Sequence, residues 1–231
     1  MRCATTRLLE QLDDSPITLC GAQITPVTSV RSVGVTMDSS LSFLSHVNHA
    51  VSSSFYQLRW IKRSLSAVPF DTAKSFNCFV ISMIDYCNSL IFGVPQYALD
   101  RLQRVLNAEA RMLCGVGKYS HVSGLIRDRL QWLPVSQRIQ FKLSDDVYKA
   151  MHGSAPVYLC ELCEQSCVEG RTRSSARGDL VVQRTRTKFG ERAFVVAGPA
   201  AWNQLPCSIR NSSSVNIFKT ALKTSLFASN I

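Results

Sequence analysis

From about residue 42 onward, apolar residues return at steps of three and four in one segment after another. That spacing lines one face of a helix and fits neither strands nor a disordered chain. Over about 42–66, Val47, Ala50, Val51, Ser54, Leu58, Ile61 and Leu65 share a face, with Arg59, Lys62 and Arg63 to its side. A second helix is predicted over 71–92, started by Pro69 and Asp71 and stopped by Gly93 and Pro95. It carries Phe76, Phe79, Val80, Met83, Ile84, Leu90 and Ile91, apolar nearly all round, which predicts a central position. A third, over 98–114, has Leu102, Val105, Leu106 and Leu113 as its buried stripe and Arg101, Arg104 and Arg111 on another face. Shorter helices follow over about 121–131 and 136–152, separated by Pro134 and ended by Gly153 and Pro156. A last pair spans about 191–204 and 214–228, joined through Trp202 and Leu205-Pro206, with Val215, Phe218, Leu222 and Leu226 as a stripe.

Two stretches read differently. Ile17–Cys20 and Gln23–Thr25 around Gly21-Ala22 have the pattern of a hairpin, and Ser32–Met37 reads as a third strand. Residues 169–192 are basic, rich in Ser and Thr and poor in helix formers; they predict a loop, a short strand near Leu180–Gln183 and a turn at Gly190. The expected fold class is therefore mainly α, with a small N-terminal β element and short strands in the C-terminal segment.

With 231 residues the chain can bury about 70% of its unfolded surface, enough for a real core. A composition of 46% hydrophobic and 18% charged residues excludes a disordered tail. No apolar run reaches the ~18 residues of a membrane-spanning helix. Nor does one follow Met1–Arg7, so no signal peptide is expected. An intracellular protein, cytoplasmic or nuclear, is the expectation.

The 26 Lys and Arg against 16 Asp and Glu give a net charge of +10. The excess is uneven: residues 1–165 hold 16 basic and 13 acidic side chains, residues 166–231 hold 10 and 3. Such a field attracts polyanions, whether nucleic acid or an acidic membrane surface. The densest patch is Arg171, Arg173, Arg177, Arg184, Arg186, Lys188 and Arg192, against Asp179 and Glu191. Trp60, Trp132 and Trp202 have faces suited to base stacking, but each sits beside an apolar position, which favours burial.

Catalytic constellations are not found. Asp13-Asp14 precedes the first strand, and Asp145-Asp146 lies on the polar side of a helical pattern; both pairs read as solvated charges rather than as holders of two metal ions. His46, His49, His121 and His152 have no nucleophile at motif spacing, and no phosphate-binding Gly loop is present. The nine cysteines read mostly as small core residues, among them Cys78, Cys87 and Cys114. Cys160, Cys163 and Cys167, with His152 upstream, have spacing that could supply zinc ligands; Leu159 and Leu162 instead suggest an apolar helix end, and no second CxxC is present.

An ordered series of blocks carries a family resemblance. The first is Ser29-Val30-Arg31-Ser32-Val33-Gly34-Val35-Thr36-Met37-Asp38-Ser39-Ser40-Leu41-Ser42-Phe43, followed by Phe55-Tyr56-x-Leu58-Arg59-x-Ile61. Next come Ile84-Asp85-Tyr86-Cys87-Asn88-Ser89-Leu90-Ile91-Phe92-Gly93, the Arg101-Leu102-Gln103 block through Arg111, and Trp132-Leu133-Pro134-Val135 through Lys142. Val147-Tyr148-Lys149-Ala150 through Leu159, Arg173-Ser174-Ser175, Phe189-Gly190, Gly198-Pro199 and Trp202-Asn203 through Arg210 complete it. In this order, over about residues 17–227, they resemble the C-terminal part of the reverse transcriptase of LINE-type, non-LTR, jockey-like retrotransposons.

The resemblance implies a division into a palm-end β remnant over 1–40, a helical, thumb-like bundle with its extension over 41–156, and a basic C-terminal segment over 157–231. Val33, Gly34 and Val35 would sit at the primer-grip region. Arg59, Lys62, Arg63, Arg101, Arg104 and Arg111, with the seven cations of the C-terminal patch, would hold an RNA/DNA primer–template without regard to sequence. The family's catalytic Asp-Asp hairpin, its Mg ligands, fingers and endonuclease lie upstream of the first block. The chain is therefore expected to polymerise nothing and bind no cofactor, and the palm and fingers of a full-length polymerase become possible partners. No membrane partner is implied. The alternative expectation is a helical protein-interaction relic with no nucleic-acid role.

Overall fold

The computed structural model describes residues 1–4, 6–11, 15–64, 70–165 and 178–228, with side chains at all of these but 6, 7, 70–74, 76 and 77. A single helical turn, α1 (Thr6–Leu9), precedes two β-hairpins. Strand β1 (Ile17–Leu19) pairs antiparallel with β2 (Ala22–Ile24), Ile17 facing Ile24 and Leu19 facing Ala22. The connecting residues are Cys20 and Gly21, at φ 49° and 81°. Two successive positive φ values give the twist that a two-residue hairpin needs. The turn therefore falls one residue earlier than Gly21-Ala22.

The expected third strand is itself split. Strand β3 (Ser29–Ser32) pairs with β4 (Val35–Asp38) across Val33-Gly34, at φ 46° and 78°. Gly34 meets the second position's demand without strain, and Val33 is forced to follow. A β-branched residue with positive φ is an outlier, and strand propensity had hidden the turn.

The chain forms two compact units, one of Met1–Cys87 with Val94–Val105, the other of Asn88–Gly93 with Leu106–Ile231. In the first unit, α2 (Leu44–Ser64) packs on α3 (Phe70–Asp85) and on β4. Its buried residues Val47, Val51, Ser54 and Leu58 are those the periodicity picks out, joined by His46. The turn into α2 is closed by Asp38, whose carboxylate accepts from the backbone N–H of Ser42 (3.0 Å) and Phe43 (2.9 Å) and from Ser40 Oγ (2.5 Å). Partial burial pushes the Asp38 carboxyl up, but these hydrogen bonds outweigh it and hold it at about 2, below the usual 3.8.

The helix expected over 71–92 ends at Asp85; Cys87 turns left-handed (φ 51°), and Asn88–Ile91 forms a separate 3-10 turn. Nor is it apolar-buried all round: Val80 and Ile84 are buried, while Cys78 and Phe79 are exposed. Cys78 is thus no core residue, and Cys87 and Cys114 are only half-buried. Helix α4 (Gln96–Cys114) buries Leu102, Val105, Leu106 and Leu113 as its spacing predicts.

The second unit is built on α5 (Val135–Met151), which starts directly after Pro134. A turn of π-helix, Leu125–Arg129, stands where a longer helix over 121–131 was expected. Helix α5 packs against α6 (Val157–Cys160), α7 (Phe194–Asn203), α9 (Val215–Ala228) and the Asn88–Ile91 turn, and α8 (Cys207–Arg210) packs on α9. Its core joins Val147, Tyr148, Trp202, Phe218, Leu222 and Leu226. Tyr148 stacks on Phe218 (centroids 4.2 Å apart), Trp202 leans on both, and the Tyr148 hydroxyl donates to Ser212 O at 2.7 Å. Burying an aromatic of this size contributes about 2–3 kcal/mol. Gly198 lets α7 lie close to α5, since a Cβ there would stand 2.9 Å from Val147 Cγ2. The strand expected near Leu180–Gln183 is reduced to one antiparallel bridge between Gln165 and Leu180.

Candidate nucleic-acid interface

Helix α2 carries cations and no carboxylate: between Asp38 and Asp71 the sequence has no Asp or Glu. Arg59, Lys62 and Arg63 are exposed on its last two turns and, among the described residues, pair with no acid. Tyr56 and Trp60 stand beside them, 56% and 52% exposed, edge to face with centroids 6.2 Å apart. The Arg63 guanidinium lies 5.2 Å above the Trp60 ring. Of the three tryptophans, then, Trp202 is buried as expected and Trp132 half-buried, but Trp60 is not buried. It falls on the solvent face of α2, four residues beyond Tyr56, opposite the stripe of Val47, Val51 and Leu58.

In the same unit, Arg101 and Arg104 are exposed on α4. Arg101 donates to the Asn48 side chain of α2, and Arg104 pairs with no acid among the described residues. Asn48 and Arg59 are separated along α2 by about 16 Å at 1.5 Å per residue. The Val33-Gly34 turn is braced by Tyr86, whose hydroxyl donates to Val33 O at 2.5 Å. The side chain of Val33 is 83% exposed at the tip, and that of Val35 is buried. Sequence spacing gave no sign of the Tyr86 brace.

The C-terminal cations divide. Arg184, Arg186 and Lys188 are exposed in the irregular segment before Gly190, which bends at 186–187 and turns at 188–189, and pair with no acid among the described residues. Arg192 is half-buried and its Nε donates to Phe92 O at 3.0 Å. Arg111 is similarly occupied, Nε donating to Ser120 O at 3.1 Å. Arg171, Arg173 and Arg177 lie outside the described residues. A cation that sequence did not single out, Arg210, is buried against Asp179 at 2.6 Å.

Asp13-Asp14 lies outside the described residues. Asp145 is buried rather than solvated, 2.8 Å from Lys149 Nζ and 3.6 Å from Lys219 Nζ, and Asp146 pairs with Lys142 at 3.1 Å. The lysine stems bring their charge to a carboxylate that helical periodicity had placed at the surface. Among the described residues no three His, Cys, Asp or Glu side chains are placed to hold a metal. Cys160 is half-buried, its thiol toward Ala155 O; burial and then the neighbouring Cys160 push the Cys163 thiol up; Cys167 lies outside the described residues. No helix among the described residues is long and apolar enough to cross a membrane. No family model, curated protein or solved structure matches the chain.

Proposed function

We propose that the chain is the post-catalytic region, thumb and C-terminal segment, of a non-LTR retrotransposon-type reverse transcriptase, and that it holds primer–template duplex without reading sequence. The ordered blocks over 17–227 motivate the family. The observation that carries the activity is the set of exposed cations unpaired with acid among the described residues: Arg59, Lys62, Arg63 and Arg104 on helices, and Arg184, Arg186 and Lys188 in an irregular segment. Cations on helix flanks and surface loops meet phosphates at any sequence, as a polymerase thumb requires. The chain itself does no chemistry on this reading; palm and fingers would supply it.

The test is fluorescence anisotropy of a labelled RNA–DNA duplex across a salt series. Log affinity falls linearly with log salt, by about 0.9 per phosphate neutralised. Replacing Arg184, Arg186 and Lys188 together with Ala flattens that slope. Folded protein that binds no duplex at low salt removes the reading. One observation favours the second, protein-interaction reading: Ile17, Leu19, Ala22 and Ile24 line one face of the first hairpin and all are exposed.

A further inference from the structure

We propose that the C-terminal end of α2 is a stacking site for unpaired bases, so that the protein prefers single-stranded nucleic acid, or a duplex end carrying an overhang, to blunt duplex. The inference rests on the nucleic-acid reading above and names the part of the ligand that this surface takes. Ser45, His49 and Ser52 are exposed on α2, and at the same three- and four-residue steps the face continues into Tyr56, Trp60 and Arg63. A solvent face that changes from Ser and His to two large aromatics leaves much apolar ring area unburied. Both rings stay about half exposed, and their edge-to-face contact leaves ring surface open to solvent.

The surrounding charge selects the occupant. Arg59, Lys62 and Arg63 lie within one turn of Trp60, on a helix without a single carboxylate. An apolar peptide has no use for three cations, and a cationic partner is repelled. A base and its phosphate use both components: the ring stacks on an aromatic face and the backbone meets the cations. Bases inside a duplex are already stacked on both faces, so they cannot reach Trp60, and a blunt duplex offers only its two end pairs. Stacking is tolerant of sequence because every base has a π-face.

The experiment compares a labelled single-stranded oligonucleotide of mixed sequence with a blunt RNA–DNA duplex, using the full chain and its Trp60→Ala, Trp60→Phe and Tyr56→Ala variants. The wild type binds the single strand more tightly. Trp60→Ala weakens that binding about five- to hundred-fold and leaves blunt-duplex affinity unchanged. Trp60→Phe, which keeps a ring, recovers most of the loss. Single-strand binding also quenches Trp60 fluorescence, against a background from Trp132 and Trp202. Exposed positions are chosen so that the variants fold, which circular dichroism checks. Single-strand affinity indifferent to Trp60→Ala and Tyr56→Ala, with duplex binding intact, overturns the stacking site alone. Binding of neither ligand overturns the nucleic-acid reading and the stacking site with it.

Discussion

The Asn203 carboxamide occupies both backbone polar groups of Leu180: Oδ1 accepts from its N–H at 2.8 Å, and Nδ2 donates to its C=O at 2.9 Å. One side chain thus plays the part of a neighbouring strand, and Leu180 is buried beside Trp202. Removing it leaves a donor and an acceptor without partners. Asn203→Ala is expected to cost about 2 kcal/mol, read as a lower urea midpoint with unchanged slope. Asn203→Asp keeps one hydrogen bond but sets an oxygen against Leu180 O, and is no milder. An unchanged midpoint would mean that water replaces the carboxamide at no cost.

Helix α7 approaches α5 only because residue 198 has no side chain. Gly198→Ala places a methyl 2.9 Å from Val147 Cγ2, closer than real carbons pack. Over-packing of this kind costs about 1–3 kcal/mol. Val147→Ala removes the clashing methyl, so the double variant loses less stability than the two single losses combined. Strict additivity would show that the helices shift apart instead.

Much of the helical core was legible because burial there follows a local period. Leu102, Val105, Leu106 and Leu113, and likewise Phe218, Leu222 and Leu226, are buried where steps of three and four place them. What was hidden depends on partners remote in sequence. Arg192 reads as one more cation of a basic patch until Phe92 O, 100 residues away, occupies its Nε. Asp145 reads as solvated until Lys219 reaches it. Val33 reads as strand because β-branched residues favour strands, yet the Gly after it makes a turn. Trp60 reads as core because large aromatics usually are, although it stands opposite the buried stripe of its own helix.

Acid should weaken the first unit in two steps. Burial, then the positive charge of His49 and Arg31, lower the His46 pKa below its usual 6.5. A folded pKa below the unfolded one stabilises above pH 6.5, and that contribution is lost as pH falls through the folded value. Asp38, held at about 2 against 3.8, contributes above pH 3.8 and loses its contribution as pH falls through about 2. Urea midpoints measured from pH 7 downward should therefore fall first below 6.5 and again below 3.8. His46→Gln removes the first step only, and Asp38→Asn the second only. A midpoint flat from pH 7 to 5 in the wild type would contradict the His46 assignment.

The Val33-Gly34 turn offers a substitution expected to stabilise. Val33 holds φ 46° with its side chain almost wholly in solvent, so little burial is lost by changing it. Asn and Gly take this conformation readily. Val33→Asn or Val33→Gly should relieve about 1 kcal/mol of backbone strain. Gly34→Ala does the reverse, since φ is 78° and a Cβ would meet Tyr86 Cε1 at 3.2 Å. Thermal unfolding of the three variants orders them directly. A loss of stability in Val33→Asn would show that the Val33 side chain is held by something other than its own turn.

Cations of one basic patch should separate into two classes when replaced. Arg192 donates to Phe92 O, and its Cγ lies 2.8 Å from where a Cβ on Gly93 would stand, so Arg192 is packed as well as bonded. Arg192→Ala strands a part-buried carbonyl and opens space beside Gly93, at a cost of about 1–2 kcal/mol. Arg192→Lys does not rescue it, because an ammonium lacks the planar fork that reaches Phe92 O. Arg111→Ala, which frees Ser120 O, behaves alike. Neither should change the salt slope of duplex binding once the protein is folded, whereas Arg186→Ala should lower that slope by about 1 and leave the urea midpoint unchanged. Measuring both quantities on the same variants decides it. A slope lowered by Arg192→Ala in fully folded protein would place Arg192 on the nucleic acid rather than in the fold.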